Sequence, residues 1–348
     1  MDRVVYILGA GFSAPLGLPV ISNFVVKSKD MYYADPAEYS HFKKVYDVVA
    51  EMAVAKNYFD TDLFNIEEVF SIIEMDLQLQ GKRLQKTFVD YISDVIEHYT
   101  PSLSPYGNFP GNWQNFIFGK EEVWRRYGAF VASVLNAGFY EVKSGATGRS
   151  FIRRDLDQSQ AHYDIISLNY DCVLEIIANH ICRTFTESSR TFWRPTAEFV
   201  CPDSSSTLAK LHGSVDDRMI VPPTWRKSVT KAIESQWRAA RKLLAAANHI
   251  RIVGYSLPVA DAYVKYLLKS SLIHAHHLKT IDVITLDHDG ATKTRYEDFI
   301  TFKYFRFRNA NVIEYLDNIE RYISRPQGAV GPSITFDGLE RMHEEFMG

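Results

Sequence analysis

The chain has only three cysteines, Cys172, Cys182 and Cys201, and no two of them stand at CxxC spacing. That excludes a disulfide framework and a cysteine-built zinc knot, and it points to a reducing compartment such as the cytoplasm. No apolar run approaches the length of a bilayer span, and no charged leader with an apolar stretch precedes the first strand candidate, so neither a membrane nor export is expected. Neither charge is in excess: a net charge of −3 gives no global pull toward nucleic acid or an anionic surface. Internal repeats and low-complexity tracts are missing as well. What is present, 348 residues with 46% hydrophobic content, suits a globular protein with one large core or two modest ones.

The most informative stretch is the N-terminus. Val4 to Leu8 reads as a short buried strand and runs into Gly9-Ala10-Gly11-Phe12-Ser13-Ala14. Strand, glycine turn and helix make a cradle for a nucleotide phosphate. Gly9 takes the tight turn, Gly11 lets backbone approach a pyrophosphate, and Ala14 allows close packing of helix on strand. Free N–H groups at the helix start, with the dipole behind them, favour an anion. A tight βα turn can also want these glycines with no ligand. The acidic residue that closes the second strand of a dehydrogenase half-domain is missing: Asp30 has nearly the distance, but no strand pattern precedes it.

From about residue 36 the texture changes to helical spacing. Phe42, Val45, Tyr46, Val48 and Val49 recur in this way, as do Ile66, Val69, Phe70, Ile72 and Ile73, then Phe88, Tyr91, Ile92, Val95 and Ile96. These are helix-packing positions. Thr100 to Asn112 is turn-rich, and a further helix is expected from about Glu121 to Tyr140; nothing in this region reads as β. After the break at Lys143 to Ser150, βα alternation returns. Strands are expected at Asp164–Leu168, Leu208–Leu211, Ile250–Val253 and Ile281–Leu286, and helices at Asp171–Cys182, Val229–Ala247, Asp261–Leu272 and Glu314–Ile323. The pattern predicts an α/β fold: a doubly wound, Rossmann-like parallel sheet formed by 1–35 and 150–325, an inserted helical subdomain at 36–149, and a C-terminal tail at 326–348.

Ligands of such sheets sit outside the carboxyl ends of the strands. Those ends carry the glycine turn, then Asn169-Tyr170-Asp171, His212-Gly213, and Gly254-Tyr255-Ser256-Leu257-Pro258. Singly, each has a plain structural reading: Asp171 as a helix cap, Asn169 as a turn brace, His212 as a loop histidine. Together, an amide, a carboxylate, an imidazole and two glycine turns at one sheet edge point to a site.

In these motifs the chain resembles a sirtuin-like NAD-consuming domain. The resemblance rests on Gly9-Ala10-Gly11-Phe12-Ser13 with Gly17-Leu18-Pro19, on Ser167-Leu168-Asn169-Tyr170-Asp171, on Leu211-His212-Gly213 and on Gly254-Tyr255-Ser256-Leu257, with Asn65-Ile66-Glu67-Glu68-Val69 as a less specific element. It implies that Asn169, Asp171 and His212 face the nicotinamide ribose of NAD and that the first glycine turn holds the pyrophosphate. The zinc-binding cysteine quartet of protein deacylases is absent, and Gly17-Leu18-Pro19 continues into Val20-Ile21-Ser22 without the deacylase arginine. What survives is similar to the NAD-hydrolysing effectors of bacterial anti-phage systems, which cause abortive infection. By the same resemblance such chains form oligomers and often pair with a hexameric DNA-translocase ATPase or an Argonaute-type protein; nothing in this sequence chooses between them.

The implied reaction is cleavage of NAD to nicotinamide and ADP-ribose, with no metal. The leaving group is already a cationic pyridinium and needs no strong acid. Asn169 then orients water or ribose, His212 serves as base near neutral pH, and Asp171 holds the carboxamide or steadies positive charge on the ribose. Gly9, Ala10, Gly11, Ser13, Gly254, Tyr255, Ser256 and Leu257 line the cofactor, with Ser13 and Ser256 bonding phosphate or ribose oxygens. Asp287 accepts from the adenosine ribose, although Asp289 stands near enough to share that reading. Two other readings stay open: a non-catalytic sensor of NAD or ADP-ribose, and a deacylase or ADP-ribosyltransferase. His274, His276 and His277 read as a solvated helix end rather than a metal site. Phe302 to Arg308 alternates rings and charges at period two, which reads as an edge strand, so direct nucleic-acid binding is not expected.

Overall fold

The computed structural model describes residues 1–59, 63, 65–80, 85–103, 113–144, 148–155, 161–184, 206–221, 231–259, 261–273, 275–323, 333–335 and 338–348. In chain order, β1 (Asp2–Leu8) leads into α1 (Ala10–Ser13). A helical stretch follows: α2 (Phe24–Ala34), α3 (Phe42–Met52), α4 (Ile66–Gln80), α5 (Gln85–Tyr99), α6 (Trp113–Phe118) and α7 (Glu122–Val134). Next come β2 (Ala137–Ser144), β3 (Gly148–Asp155), β4 (Ala161–Ser167), α8 (Val173–Thr184), β5 (Leu208–Lys210), β6 (Gly213–Ser214) and β7 (Met219–Ile220). The chain continues through α9 (Lys231–Ala246), β8 (His249–Val253), α10 (Ala262–Ser271), β9 (Thr280–Thr285), α11 (Ala291–Phe299), β10 (Phe305–Asn309), α12 (Val312–Ile323), β11 (Ser333–Thr335) and α13 (Leu339–Met347).

The last five residues of β1 are all buried, which requires cover on both faces of its sheet. Val4, Tyr6 and Leu8 face one core, and Val5 and Ile7 face the other, as the period of two demands. β1 lies inside a six-stranded sheet of order β10-β9-β8-β1-β4-β5, and every pairing in it is parallel. The order turns back on itself at β1 and β8, so this is a doubly wound sheet whose switch point is the gap between those two strands. Helices α9 and α10 supply the aliphatic cover of one face, through Leu243, Leu244, Val264 and Leu268. The other face belongs to a continuous cluster that also takes in Phe42, Phe70, Tyr91 and Phe130 from the helical stretch. No described helix is long and apolar enough to cross a membrane.

Several expectations are corrected. The helix from Glu121 stops at Val134, because Asn136 takes a left-handed conformation (φ 49°) that ends it, and Ala137 opens a strand. The region therefore does contain β structure. β2 and β3 pair antiparallel, and β11 adds to β2, so much of the Lys143–Ser150 break is hairpin. The helix after the first glycine turn is only Ala10–Ser13 and passes into a 3-10 turn at Ala14–Leu16, where Pro15 has no N–H to continue an α-helical ladder. α11 was not foreseen: Thr292 and Tyr296 are its buried residues, too few to write a periodic signal. The edge-strand reading of 302–308 holds in part: β10 (Phe305–Asn309) is outermost in the sheet, while 302–304 precede it as irregular chain and turn. Residues 104–112, 202–205, 229–230 and the prolines and glycines of 326–332 lie outside the described residues, as do Cys201 and His274; His276 and His277 are exposed.

The stretch 326–348, read as a tail, contains α13, which is tied to the sheet by a buried polar row. Tyr6, Arg251, Asp282 and Arg306 stand side by side on β1, β8, β9 and β10. Arg251 is fully buried and meets Glu340 of α13 through two bonds of 2.8 and 2.7 Å, while also donating to the Tyr6 hydroxyl at 2.9 Å. Tyr6 pairs with Tyr315, Tyr315 with His343 Nδ1 at 3.0 Å, and His343 Nε2 with Asp282 at 3.0 Å. Arg306 then bridges Asp282 and Glu344. Asp282, His343 and Glu344 come within metal-ligand distance of one another, but the Arg306 guanidinium already spans the two carboxylates.

Burial, reinforced by Arg251, pulls the His343 pKa down to about 4. Its folded value then lies below the value near 6.5 of an unfolded histidine, so the unfolded chain binds the extra proton first. Stability is complete above about pH 6.5 and falls as pH drops toward about 4, by roughly 3 kcal/mol at this site. Urea unfolding at pH 7, 6 and 5 reads this slope, and His343→Gln should flatten it; an unchanged slope in the variant would contradict the assignment. Removing the carboxylate in Glu340→Gln strands a buried guanidinium and should cost about 3–5 kcal/mol in the same experiment.

Candidate functional site

At the switch point two glycine turns interlock. Gly9 N–H donates to Val253 O at 3.1 Å, Gly11 N–H to Gly254 O at 2.9 Å, and Gly254 N–H to Ile284 O at 2.9 Å. A Cβ on Gly9 would stand 2.7 Å from Gly254 O, one on Gly11 2.8 Å from the same atom, and one on Gly254 2.3 Å from the Phe12 nitrogen. Gly254 has φ +66°, and Leu257, three residues on, has φ 53°, unusual for a bulky residue. Backbone of the opposite turn is by itself enough to forbid side chains at 9 and 11. The expected N–H cradle is also reduced. Gly9, Gly11 and Phe12 spend their N–H groups inside the protein, Phe12 on Gly9 O at 2.8 Å, and α1 is too short to carry a dipole of any size.

The short turn nevertheless aims side chains. Asn169, at the end of β4, reaches across to β1: its Nδ2 donates to Gly9 O at 3.0 Å and to Ser13 Oγ at 3.1 Å. Gly9 O can only accept, so the amide nitrogen must face it and the amide oxygen is fixed on the opposite side. That oxygen is buried and has no hydrogen-bond partner among the described residues. Ala10, Ser13, Asn169, Tyr170 and Asp171 form the polar end of a cavity of about 80 Å³. The rest of its wall is apolar, from Leu18, Pro19 and Val20 to Phe24, Phe70 and Ile92 of the helical stretch. Asp171 keeps its capping role as well, since Oδ1 accepts from Val173 N at the start of α8. Beside it, burial and the nearby Asp171 charge push the Tyr127 hydroxyl far above its ordinary pKa, and this hydroxyl donates to Phe12 O.

His212 stands next to this cavity rather than in its wall. Its ring lies against that of Tyr170, centroids 5.9 Å apart, and its Nε2 is 4.0 Å from Asp261 Oδ2. The same Asp261 oxygen accepts from the Tyr255 hydroxyl at 2.8 Å, and all three side chains are buried. At 4.0 Å the aspartate is a charge near the imidazole and not a hydrogen-bond partner. Gly213 (φ +85°) then turns the chain sharply into β6, and Arg218 on the same hairpin (φ 52°) reaches Asp90, Asp94 and Glu97 of α5. The histidine is thus clasped to the helical stretch.

The remaining expected residues are spread out. Tyr255 and Leu257 are buried in the second core; the Leu257 side chain serves packing, whereas Tyr255 also uses its hydroxyl on Asp261. Ser256 is exposed, and its carbonyl accepts from Arg295. Asp287 spends both carboxylate oxygens on the start of α11, accepting from Thr292 N at 3.1 Å and Lys293 N at 3.0 Å. Burial raises its pKa, but these N–H bonds outweigh that and hold the carboxyl below its usual range.

Sequence reading missed Asp261, taken as an ordinary helix start, and Lys210. Lys210 is buried under the site, where Nζ donates to Asp171 O at 2.6 Å, to Glu175 Oε1 at 2.9 Å and to Ser214 Oγ at 2.9 Å. Burial alone would lower its pKa, yet Glu175 and the other acceptors more than offset this and keep it an ammonium. A lysine closing the apolar triplet Leu208-Ala209-Lys210 was the available signal.

The interlock predicts a contrast between two glycines. Gly254→Ala drives a Cβ into backbone and should cost roughly 3 kcal/mol or more. Gly17 also has positive φ (+90°) but nothing within 4 Å of its Cβ, so Gly17→Ala should cost only the backbone strain of about 1–2 kcal/mol. Equal losses in thermal unfolding would refute the interlock.

No family model matches the chain, and no curated protein is similar to it. Among solved structures, the chain is similar to Sir2Tm bound to a propionylated peptide, at 12% identity and a TM-score of 0.37, over 92% of each chain. It is similar at the same identity, TM-score and coverage to a Sir2–p53 peptide–NAD+ complex. A Sir2 complex with an inhibitor, 2'-O-acetyl-ADP-ribose and a deacetylated p53 peptide matches at 12% identity and a TM-score of 0.32, over 92% of this chain and 93% of that one. A likeness at this level says nothing of what this chain does.

Proposed function

We propose that the chain is an NAD+ glycohydrolase that cleaves NAD+ to nicotinamide and ADP-ribose. The observation that carries this reading is the Asn169 amide oxygen, buried, partnerless among the described residues and locked in orientation by Gly9 O at the polar end of a mostly apolar cavity. Leaving such an acceptor unpaired costs about 1–3 kcal/mol, a cost that a bound hydroxyl or water removes. The bond to be broken leads to an oxocarbenium-like state and a neutral nicotinamide. Asn169 holds the water or a ribose hydroxyl on the reacting carbon, and Asp171, in the same wall, faces the carboxamide or the positive charge. His212, backed by Asp261, takes the proton from that hydroxyl or water. The apolar wall keeps other water away from the charged intermediate.

A second reading is a non-catalytic binder of NAD or ADP-ribose at the same cavity; in both readings the spent N–H groups of Gly9, Gly11 and Phe12 weaken pyrophosphate binding at that turn. Uncontrolled NAD loss would kill the host cell, so the hydrolase is expected to be silent until it assembles or meets a partner. The setting we propose is abortive anti-phage defence in the cytoplasm, with a homo-oligomer, a hexameric DNA-translocase ATPase or an Argonaute-type protein as activator.

Chromatography of nicotinamide and ADP-ribose after incubation with NAD+ tests the reading, beside calorimetric NAD+ binding. Asn169→Ala and His212→Ala should each lower turnover by about a hundredfold or more. NAD+ binding without turnover in every assembly state would leave the sensor, and acyl-ADP-ribose formation from acylated peptide would make the chain a deacylase.

A further inference from the structure

In the three-stranded sheet of order β11-β2-β3, β3 (Gly148–Asp155) pairs with β2 along all eight of its residues, and no described residue pairs with its other edge. Such an edge is a row of backbone N–H and C=O groups about 27 Å long that can take up another strand. The sequence of β3, Gly-Arg-Ser-Phe-Ile-Arg-Arg-Asp, says which strand fits. Two copies joined edge to edge by a twofold axis through the sheet run antiparallel, and cross-strand partners must lie on the same face. With the axis at Phe151, Arg149 would stand opposite Arg153 of the second copy; with it at Arg153 or Arg154, an arginine would oppose itself. An axis at Ser150 or nearer the start of the strand leaves Arg153 to Asp155 without partners. With the axis at Ile152, Arg149 stands opposite Asp155 at both ends of the pairing, Phe151 opposite Arg153 and Ser150 opposite Arg154, and no like charges meet.

The other outer strands offer nothing comparable. For β10 (Phe305–Asn309), at the rim of the six-stranded sheet, an axis at Arg306, Phe307 or Arg308 sets arginine opposite arginine each time. β5 and β11 have three residues each.

We propose that the chain forms a twofold dimer in which β3 pairs antiparallel with β3 of a second copy about Ile152, joining the two small sheets into one of order β11-β2-β3-β3-β2-β11. Backbone hydrogen bonds supply the affinity, and the two Arg149–Asp155 pairs fix the register. The same charges keep a long open edge selective, since a slipped register brings arginines together. The contact does not rest on the reaction proposed above, and a dimer without NAD+ turnover leaves it standing.

Sedimentation of the full chain over a range of concentrations should show a monomer–dimer equilibrium. Asp155→Arg and Arg149→Asp should each weaken the dimer about tenfold, because two cross-strand pairs turn from attraction to repulsion. The double variant exchanges the charges and should restore the dimer. Ile152→Cys places a thiol opposite its own copy, at a Cα separation of about 5 Å that a disulfide spans. Mild oxidation should then link two chains covalently, whereas the wild-type chain stays unlinked. A monomer at every concentration would overturn the proposal. So would a dimer indifferent to the single charge reversals, failure of the double variant to restore it, or no crosslink in Ile152→Cys.

Discussion

The fit of one glycine turn into another governs this structure. β1 and β8 are neighbours whose chains leave in different directions, one toward the helical stretch and one toward α10. Such a switch point leaves a crevice that most doubly wound sheets offer to a ligand. Here the crevice is closed at its base by backbone meeting backbone, Gly11 N–H on Gly254 O, at separations no Cβ permits. The free edge of the crevice is thereby moved toward β4 and β5. That is where Asn169 reaches back to Gly9 and where the cavity opens.

The same constraint explains why the polar groups of the site are so heavily braced from below. Asn169 and Asp171 share one short loop and His212 sits on another, and neither loop has a regular ladder of its own. Lys210 gathers them: one ammonium accepts no bond but donates to the Asp171 carbonyl, the α8 carboxylate of Glu175 and the hydroxyl of Ser214 on the hairpin beyond His212. A buried lysine with all its donors paired adds little net stability, because desolvating the two charges costs about as much as their pairing returns. Its value lies in geometry, since breaking any one contact leaves a charge stranded and so resists loop movement.

Much of this was legible. The strand ends at Gly9, Asn169, His212 and Gly254 do converge on one sheet edge, because parallel strands with short βα turns announce themselves as apolar runs followed by small or polar residues. What the sequence hid has a common physical cause. Arg251 and Asp282 look like ordinary exterior positions of strands, and only the register that sets them beside Tyr6 and Arg306 reveals a buried row. α13 looked like a tail because it has no core alone; Leu339, Met342, Phe346 and Met347 join the main core, and charged partners lie on strands up to about ninety residues earlier in the chain, as Arg251 does for Glu340. Asn136 and Asp261 were misjudged for a local reason: a left-handed φ at one and an inward-turned carboxylate at the other are decided by packing, not by propensity.

These two devices, the interlocked turns and the polar row, meet on one strand. Tyr6 links them, since its hydroxyl belongs to the Arg251 and Tyr315 network while its strand ends in Gly9. By contrast, the cavity's outer wall comes from α2, α4 and α5, and the hairpin after His212 is held to α5 by partly exposed ion pairs around Arg218. Exposed pairs are individually worth about 1 kcal/mol or less and are screened by salt. The hairpin is therefore held unequally at its two ends: loosely to α5 through Arg218, and firmly at Ser214, near His212, where Lys210 joins it to the Asp171 carbonyl.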